Sequence, residues 1–284
     1  MLQFGIRAHD MGKLPIELLA DSLSALKPDS IQLALAKSLL DTPSKTGSLS
    51  PGYARRIRTI FERRGISIAV LGCYINPVHP DPEAREAALA HFEEHLRFAR
   101  DFGCAIVGTE TGSCNGDCSY HPDTAKPETF DLLCSSIERL VRTAERYGTI
   151  VGVEAVAYQH TVSTIEKMGE LLHRIDSPNL QVIYDPVNLI PIGGLEESQE
   201  SFFERAFSTF GDRIAAVHAK DFRIENGSKL GSLPSGTGEL DYPLLFRSLS
   251  RRKPFIDVLL ENTAPDNMRE TLAFVRRIDA ETSS

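Results

Sequence analysis

Eight short β-branched runs, each followed by a longer stretch of helical periodicity, recur along this chain, and no other feature limits its fold as tightly. The runs are LQFGIR (2–7), SIQLAL (30–35), ISIAVLGCYI (66–75), AIVGTE (105–110), IVGVEAV (150–156), LQVIYD (180–185), IAAVHAK (214–220) and FIDVLLEN (255–262). Most are continuously apolar rather than alternating, the pattern of parallel strands covered on both faces. Between them, Leu89, Phe92, Leu96 and Ala99 fall on one helical face, and Phe130, Leu133, Ile137, Leu140 and Ala144 on another. Ser163 followed by Glu166 predicts a capping box, opening a helix that carries Ile165, Met168, Leu172 and Ile175. Asp241 with Pro243 predicts a further helix start. Gly65, Gly103, Gly148 and Gly211 stand where helices should stop.

Eight such repeats in 284 residues, with no Pro-, Gly- or Ser-rich linker, predict an α/β fold: a single (β/α)8 TIM barrel forming one domain over 1–284. A doubly wound open sheet is the competing architecture, but there is no GxGxxG after an early strand and no GxxxxGK[ST]. Segments 36–50, 111–127 and 222–240 read as long loops. All three follow strand C-termini, the side on which barrels carry their sites.

The net charge of −8 argues against a nucleic-acid partner, because such affinity rests on basic residues neutralising phosphates. No apolar run approaches the ~18–20 residues of a membrane helix. The first residues show no charged segment leading into an apolar one, and the five cysteines are odd in number and not spaced as a framework. Reduced thiols and a cytoplasmic location are the expectation.

The polar residues at the ends of the last four runs carry the chemistry. The fifth run ends at Glu154, the sixth at Asp185, the seventh at His218 and the eighth at Glu261. Singly, each has a plain structural reading: Asp185 before Pro186 is a common turn start, and a histidine in an apolar run is often a satisfied core residue. Together they bring three carboxylates and an imidazole to one rim, where desolvation and mutual repulsion are costly unless a cation is shared. The set suits one divalent ion per chain, Mn²⁺ first, with Mg²⁺, Co²⁺ or Zn²⁺ tolerated; no thiolate is included.

With these residues in that order, the chain resembles the xylose-isomerase-like TIM barrels of the sugar phosphate isomerase/epimerase superfamily. The segments VHAKDF and PSGTGELDYPLLF (234–246) are similar to that group's H-x-K-D strand and its P-x-G-x-G-x-x-D-[FY] segment. The resemblance implies a carbohydrate substrate, metal ligation by Glu154, Asp185, His218 and Glu261, and proton transfer by Glu154 and Glu261 through a metal-stabilised enediolate. An inosose-dehydratase-like lyase would use the same ligands. A zinc phosphodiesterase of the apurinic endonuclease type would need further histidines, where Tyr74, Asn76, Glu110 and Asn188 stand instead. Association into homo-oligomers is also implied.

His9, Glu110, Asn188 and Lys220 are the candidate substrate-binding residues, with Tyr74 and Asn76 lining the pocket. Lys220 has the alternative of pairing with Asp221. Ketose 3-epimerases resemble D-x-x-H where this chain has Asp185 and Asn188, and carry an arginine whose nearest counterpart here, Arg223, is out of register. Cys114, Cys118 and His121 suggest zinc, but the spacing is loose and isolated thiols are the simpler reading.

Overall fold

The computed structural model describes residues 1–42 and 45–282. Its strands are β1 (Gln3–Arg7), β2 (Ser30–Leu33), β3 (Ser67–Gly72), β4 (Ile106–Glu110), β5 (Ile150–Glu154), β6 (Leu180–Tyr184), β7 (Ile214–Ala219), β8 (Asp221–Glu225), β9 (Ser228–Leu233) and β10 (Asp257–Leu260). The helices are α1 (Ile16–Ser24), α2 (Leu35–Ser38), α3 (Pro51–Glu62), α4 (Pro82–Phe98), α5 (Pro127–Tyr147), α6 (Ile165–Arg174), α7 (Pro186–Leu189), α8 (Gln199–Phe210), α9 (Tyr242–Arg252) and α10 (Met268–Thr282). Each expected run supplies one strand of a closed barrel in the order β1-β10-β7-β6-β5-β4-β3-β2, with helices outside. Every pairing in the barrel is parallel. No helix among the described residues is long and apolar enough to cross a membrane.

The barrel interior is filled, not hollow. Val70, Ile183, Ala216 and Leu259 form a buried cluster of their own, and glycines on other strands leave room for it. A Cβ on Gly108 would lie 2.6 Å from Ile183 Cδ1 and 2.9 Å from Val70 Cγ1, and one on Gly5 would lie 2.6 Å from Leu259 Cδ2. Strand side chains alternate between faces, so the residue two beyond an interior residue also points inward. Gly108 is followed in this way by Glu110, Gly152 by Glu154, Ile183 by Asp185, Ala216 by His218, Leu259 by Glu261 and Gly5 by Arg7. The plug therefore sets the phase of the rim above it.

Outside the barrel, the expected helical faces of α4 and α5 are buried, as are Ile165, Met168, Leu172 and Ile175 around α6. Four local readings change. The α6 cap is Thr164, whose hydroxyl accepts from Lys167 N at 3.1 Å, one residue later than the Ser163 expectation. Gly65, Gly103 and Gly148 adopt left-handed φ, whereas Gly211 has φ −59 and leads directly into a 3-10 turn. The loop assigned to 36–50 begins inside α2. Segment 222–240 is not a plain loop: most of it is the antiparallel β8–β9 hairpin, turned by Asn226 (φ 52) and Gly227 (φ 75).

The hairpin is fastened to the rim. Asp221, 1% exposed, accepts from the amides of Phe222, Leu240 and Gly236, each at 2.9 Å. Lys229 Nζ donates to the carbonyl of Val187 at 2.7 Å and to that of Ile190, linking the hairpin to α7.

Candidate metal centre

Glu154 ends β5, Asp185 and Glu261 directly follow β6 and β10, and His218 is the penultimate residue of β7; all are buried, and each offers a ligand atom within 4.8 Å of the others. Asp185 also caps α7: its Oδ1 accepts from Asn188 N at 2.9 Å, which leaves Oδ2 for the centre. Asn188 turns its side chain back, and Nδ2 donates to Glu154 Oε1 at 2.7 Å.

His218 Nε2 lies 2.6 Å from Gln32 Oε1, and Gln32 Nε2 donates to the Tyr74 hydroxyl at 2.5 Å. A carbonyl oxygen accepts only, so Nε2 carries hydrogen and the neutral ring has its lone pair on Nδ1. Nδ1 lies 3.2 Å from Glu154 Oε1 and 3.0 Å from Glu261 Oε2. Asp185 Oδ2, His218 Nδ1 and Glu261 Oε2 are buried without a hydrogen bond of good geometry. Three ligand atoms on three converging residues, held only by ion-pair contacts, fit a divalent ion of the kind expected.

Without an ion, cations of the chain balance the carboxylates. Lys220 Nζ, 4% exposed as a residue, lies 2.9 Å from Asp185 Oδ2 and 3.2 Å from Glu261 Oε1, and Arg7 reaches Glu261 Oε1 at 2.7 Å. Lys220 thus sits within this cluster, as the cation between Asp185 and Glu261. It does not pair with Asp221, which is occupied with the hairpin amides. Burial opposes charge on His218, but Glu154 and Glu261 outweigh it and raise the imidazole to about 10. Burial likewise disfavours ionised Glu261, yet Lys220, His218 and Arg7 hold it well below the ordinary carboxylate range. Burial pushes Asp185 up, despite Lys220, because Glu261 and Glu154 repel its charge. Glu261 shares more of these cations than Asp185 does, and of the two Asp185 is the harder to ionise.

The mouth above the ring holds the other expected residues. His9 packs edge-on against Tyr74, with centroids 5.9 Å apart, and burial with Arg7 and Lys37 nearby lowers its pKa to about 3. Glu110 is in register beside Glu154, and its Oε2 is 3.8 Å from His160 Nε2. Lys37 Nζ lies 3.8 Å from the centre of the Tyr74 ring. Asn76 is instead structural, donating to the carbonyls of Ser113 and Asn115 at 2.8 Å. Arg223 is out on the hairpin, bonded to Thr237 O at 2.8 Å. All five cysteines are free, and Cys114, Cys118 and His121 do not converge as a ligand group among the described residues.

Sequence reading did not single out Arg7, Gln32, Lys37 or His160. Arg7 and Gln32 were visible as polar residues near the ends of the first two runs. His160 lies in a loop with no periodic signal to place it.

The sequence profile of the xylose isomerase-like TIM barrel family matches residues 21–278. Among solved structures, a D-tagatose 3-epimerase-like protein superposes with TM-score 0.75 at 18% identity, covering 100% of both chains. The 3-keto-D-glucoside 4-epimerase YcjR of E. coli gives TM-score 0.72 at 17% identity, over 98% of this chain and 100% of the other. The IOLI protein, solved with a zinc atom, gives 0.75 at 15% identity, over 99% and 98%. No curated protein matches this chain significantly.

Proposed function

The chain belongs to the xylose isomerase-like TIM barrel family, and from that premise we propose that it is a divalent-metal-dependent isomerase or epimerase of a small sugar, sugar phosphate or keto-acid. The observation that carries this is the buried convergence of Glu154, Asp185, His218 and Glu261, with three of their ligand atoms lacking a hydrogen bond of good geometry. These four residues hold the ion, Mn²⁺ being favoured by the three carboxylates. When bound, the ion supplies a Lewis acid that polarises a substrate carbonyl and acidifies the adjacent C–H.

The proton chemistry belongs to the chain. Glu154 and Glu261 come from β5 and β10, with β6 and β7 between them in the barrel. They therefore approach a bound carbon from different sides: one removes its proton, and the other returns one. Asn188 fixes the rotamer of Glu154, while Arg7 and Lys220 keep Glu261 ionised, as a base must be. His9 and Glu110 at the mouth are the residues assigned to substrate hydroxyls. Five unpaired cysteines support a reducing, cytoplasmic setting.

Deuterium uptake from solvent tests this reading across ketoses, their phosphates, inososes and hydroxypyruvate with added Mn²⁺. Exchange at one carbon is expected with at least one substrate, and Glu154→Gln or Glu261→Gln should abolish it while the fold survives. Undiminished turnover in either variant would overturn the paired-base assignment. Loss of water from the product would instead identify the lyase chemistry that the same ligands permit.

A further inference from the structure

A second group of ligating side chains lies outside the barrel, in the layer between β3 and α4. Cys73 follows β3 directly and is 4% exposed. Tyr74, the next residue, reaches the barrel mouth through Gln32, so alternation turns the Cys73 thiol the other way, toward the helix. There α4 presents His91 and His95, four residues and about one turn apart, with ring centroids 4.5 Å from each other. Ligand atoms of Cys73, His91 and His95 all lie within 4.8 Å of one another. They line one cavity of about 110 Å³, together with Thr42 and Lys37.

From this juxtaposition we propose that Cys73, His91 and His95 form a second metal site, selective for a soft or borderline transition ion, Zn²⁺ in the first instance. The ligand set differs in kind from the oxygen-rich rim. One thiolate and two imidazoles favour zinc over manganese or magnesium, and three protein ligands leave a fourth position open.

The imidazoles are prepared for this. His95 Nδ1 lies 2.9 Å from the carbonyl of His91, which can only accept, so Nδ1 carries hydrogen and Nε2 keeps its lone pair. A metal-binding histidine is oriented in the same manner, by a backbone carbonyl on its other nitrogen. Burial keeps both rings neutral, lowering His91 and bringing His95 to about 4. The Cys73 thiol is held protonated by burial, so ion binding forms the S–metal bond and releases that proton to solvent.

The inference is independent of the activity proposed for the rim, and the two fail separately. Co²⁺ is the probe, added to the full-length protein with Mn²⁺ already present in excess. One equivalent should produce a thiolate-to-cobalt charge-transfer band in the near ultraviolet, bleached by Zn²⁺. Cys73→Ser should abolish the band, and Asp185→Ala should leave it intact. His91→Gln, at a half-buried position, should weaken Co²⁺ binding ~10-fold or more while the ion-free melting temperature is unchanged. No band in the wild type, or a band that persists in Cys73→Ser or is indifferent to His91→Gln, would overturn the site.

Discussion

Changing the pH across the range in which His218 titrates probes the candidate metal centre through a single proton. In the ion-free protein, burial disfavours the imidazolium, but Glu154 and Glu261 at 3.2 and 3.0 Å prevail and raise its pKa from 6.5 to about 10. The raised value means that the protonated ring stabilises the ion-free fold fully below pH ~6.5, and that this contribution is lost as pH rises through about 10. A cation ligated by Nδ1 requires the other form. Binding must therefore expel one proton over that window, so the apparent association constant rises about tenfold per pH unit. From pH 7 to 10 this amounts to roughly 1,000-fold, on the order of 4 kcal/mol. Calorimetric titration with Mn²⁺ in two buffers of different ionisation enthalpy counts the protons directly; about one per ion is expected near pH 7.5. His218→Gln should bind more weakly and release none. Affinity independent of pH between 7 and 9, with no proton released, refutes ligation through this nitrogen.

Three further outcomes are expected. Gly108→Ala, whose Cβ would meet Ile183 Cδ1 at 2.6 Å, should destabilise the barrel by about 1–3 kcal/mol in denaturant titrations, and adding Ile183→Val, which removes that atom, should recover much of the loss. Strict additivity of the two changes counts against the packing account. Asp221→Ala should strip three amides of their acceptor and release the hairpin, read as new proteolytic cleavage within 222–240 while the barrel persists. Thr164→Ala should cost ~1 kcal/mol and Ser163→Ala little, since only Thr164 caps α6; the reverse ranking restores the capping-box reading.

The barrel was legible because parallel strands buried on both faces write themselves as unbroken apolar runs, and helices between them as stripes of period 3.6. Glu154, Asp185, His218 and Glu261 stood out because each interrupts or ends such a run. Lys220 was also visible, but its partners were not: pairing with Asp185 and Glu261 across strands is a matter of barrel register, which no local pattern encodes. Gln32 escaped for the same reason, since its link to His218 spans 186 residues of sequence. The β8–β9 hairpin was a different kind of miss. Its Asn226-Gly227 pair is a strong hairpin signal, overlooked because a long segment after a strand invited the reading of a loop. The Cys73 group was hidden by the distance between a strand end and a helix, which only packing closes.

The plug beneath the rim has an evolutionary consequence. Substitutions at the rim change one group at a time, but loss of a single residue within β6 would draw Asp185 back into the place of Tyr184, facing Phe207 and Phe210 of α8, and leave Pro186 at the rim. A two-residue loss restores parity at the expense of height. These strands should thus tolerate length changes only in even steps, while loops such as 222–240 are free to grow by any number. New specificities in this chain's descendants are expected to arise as insertions between strands and almost never inside them.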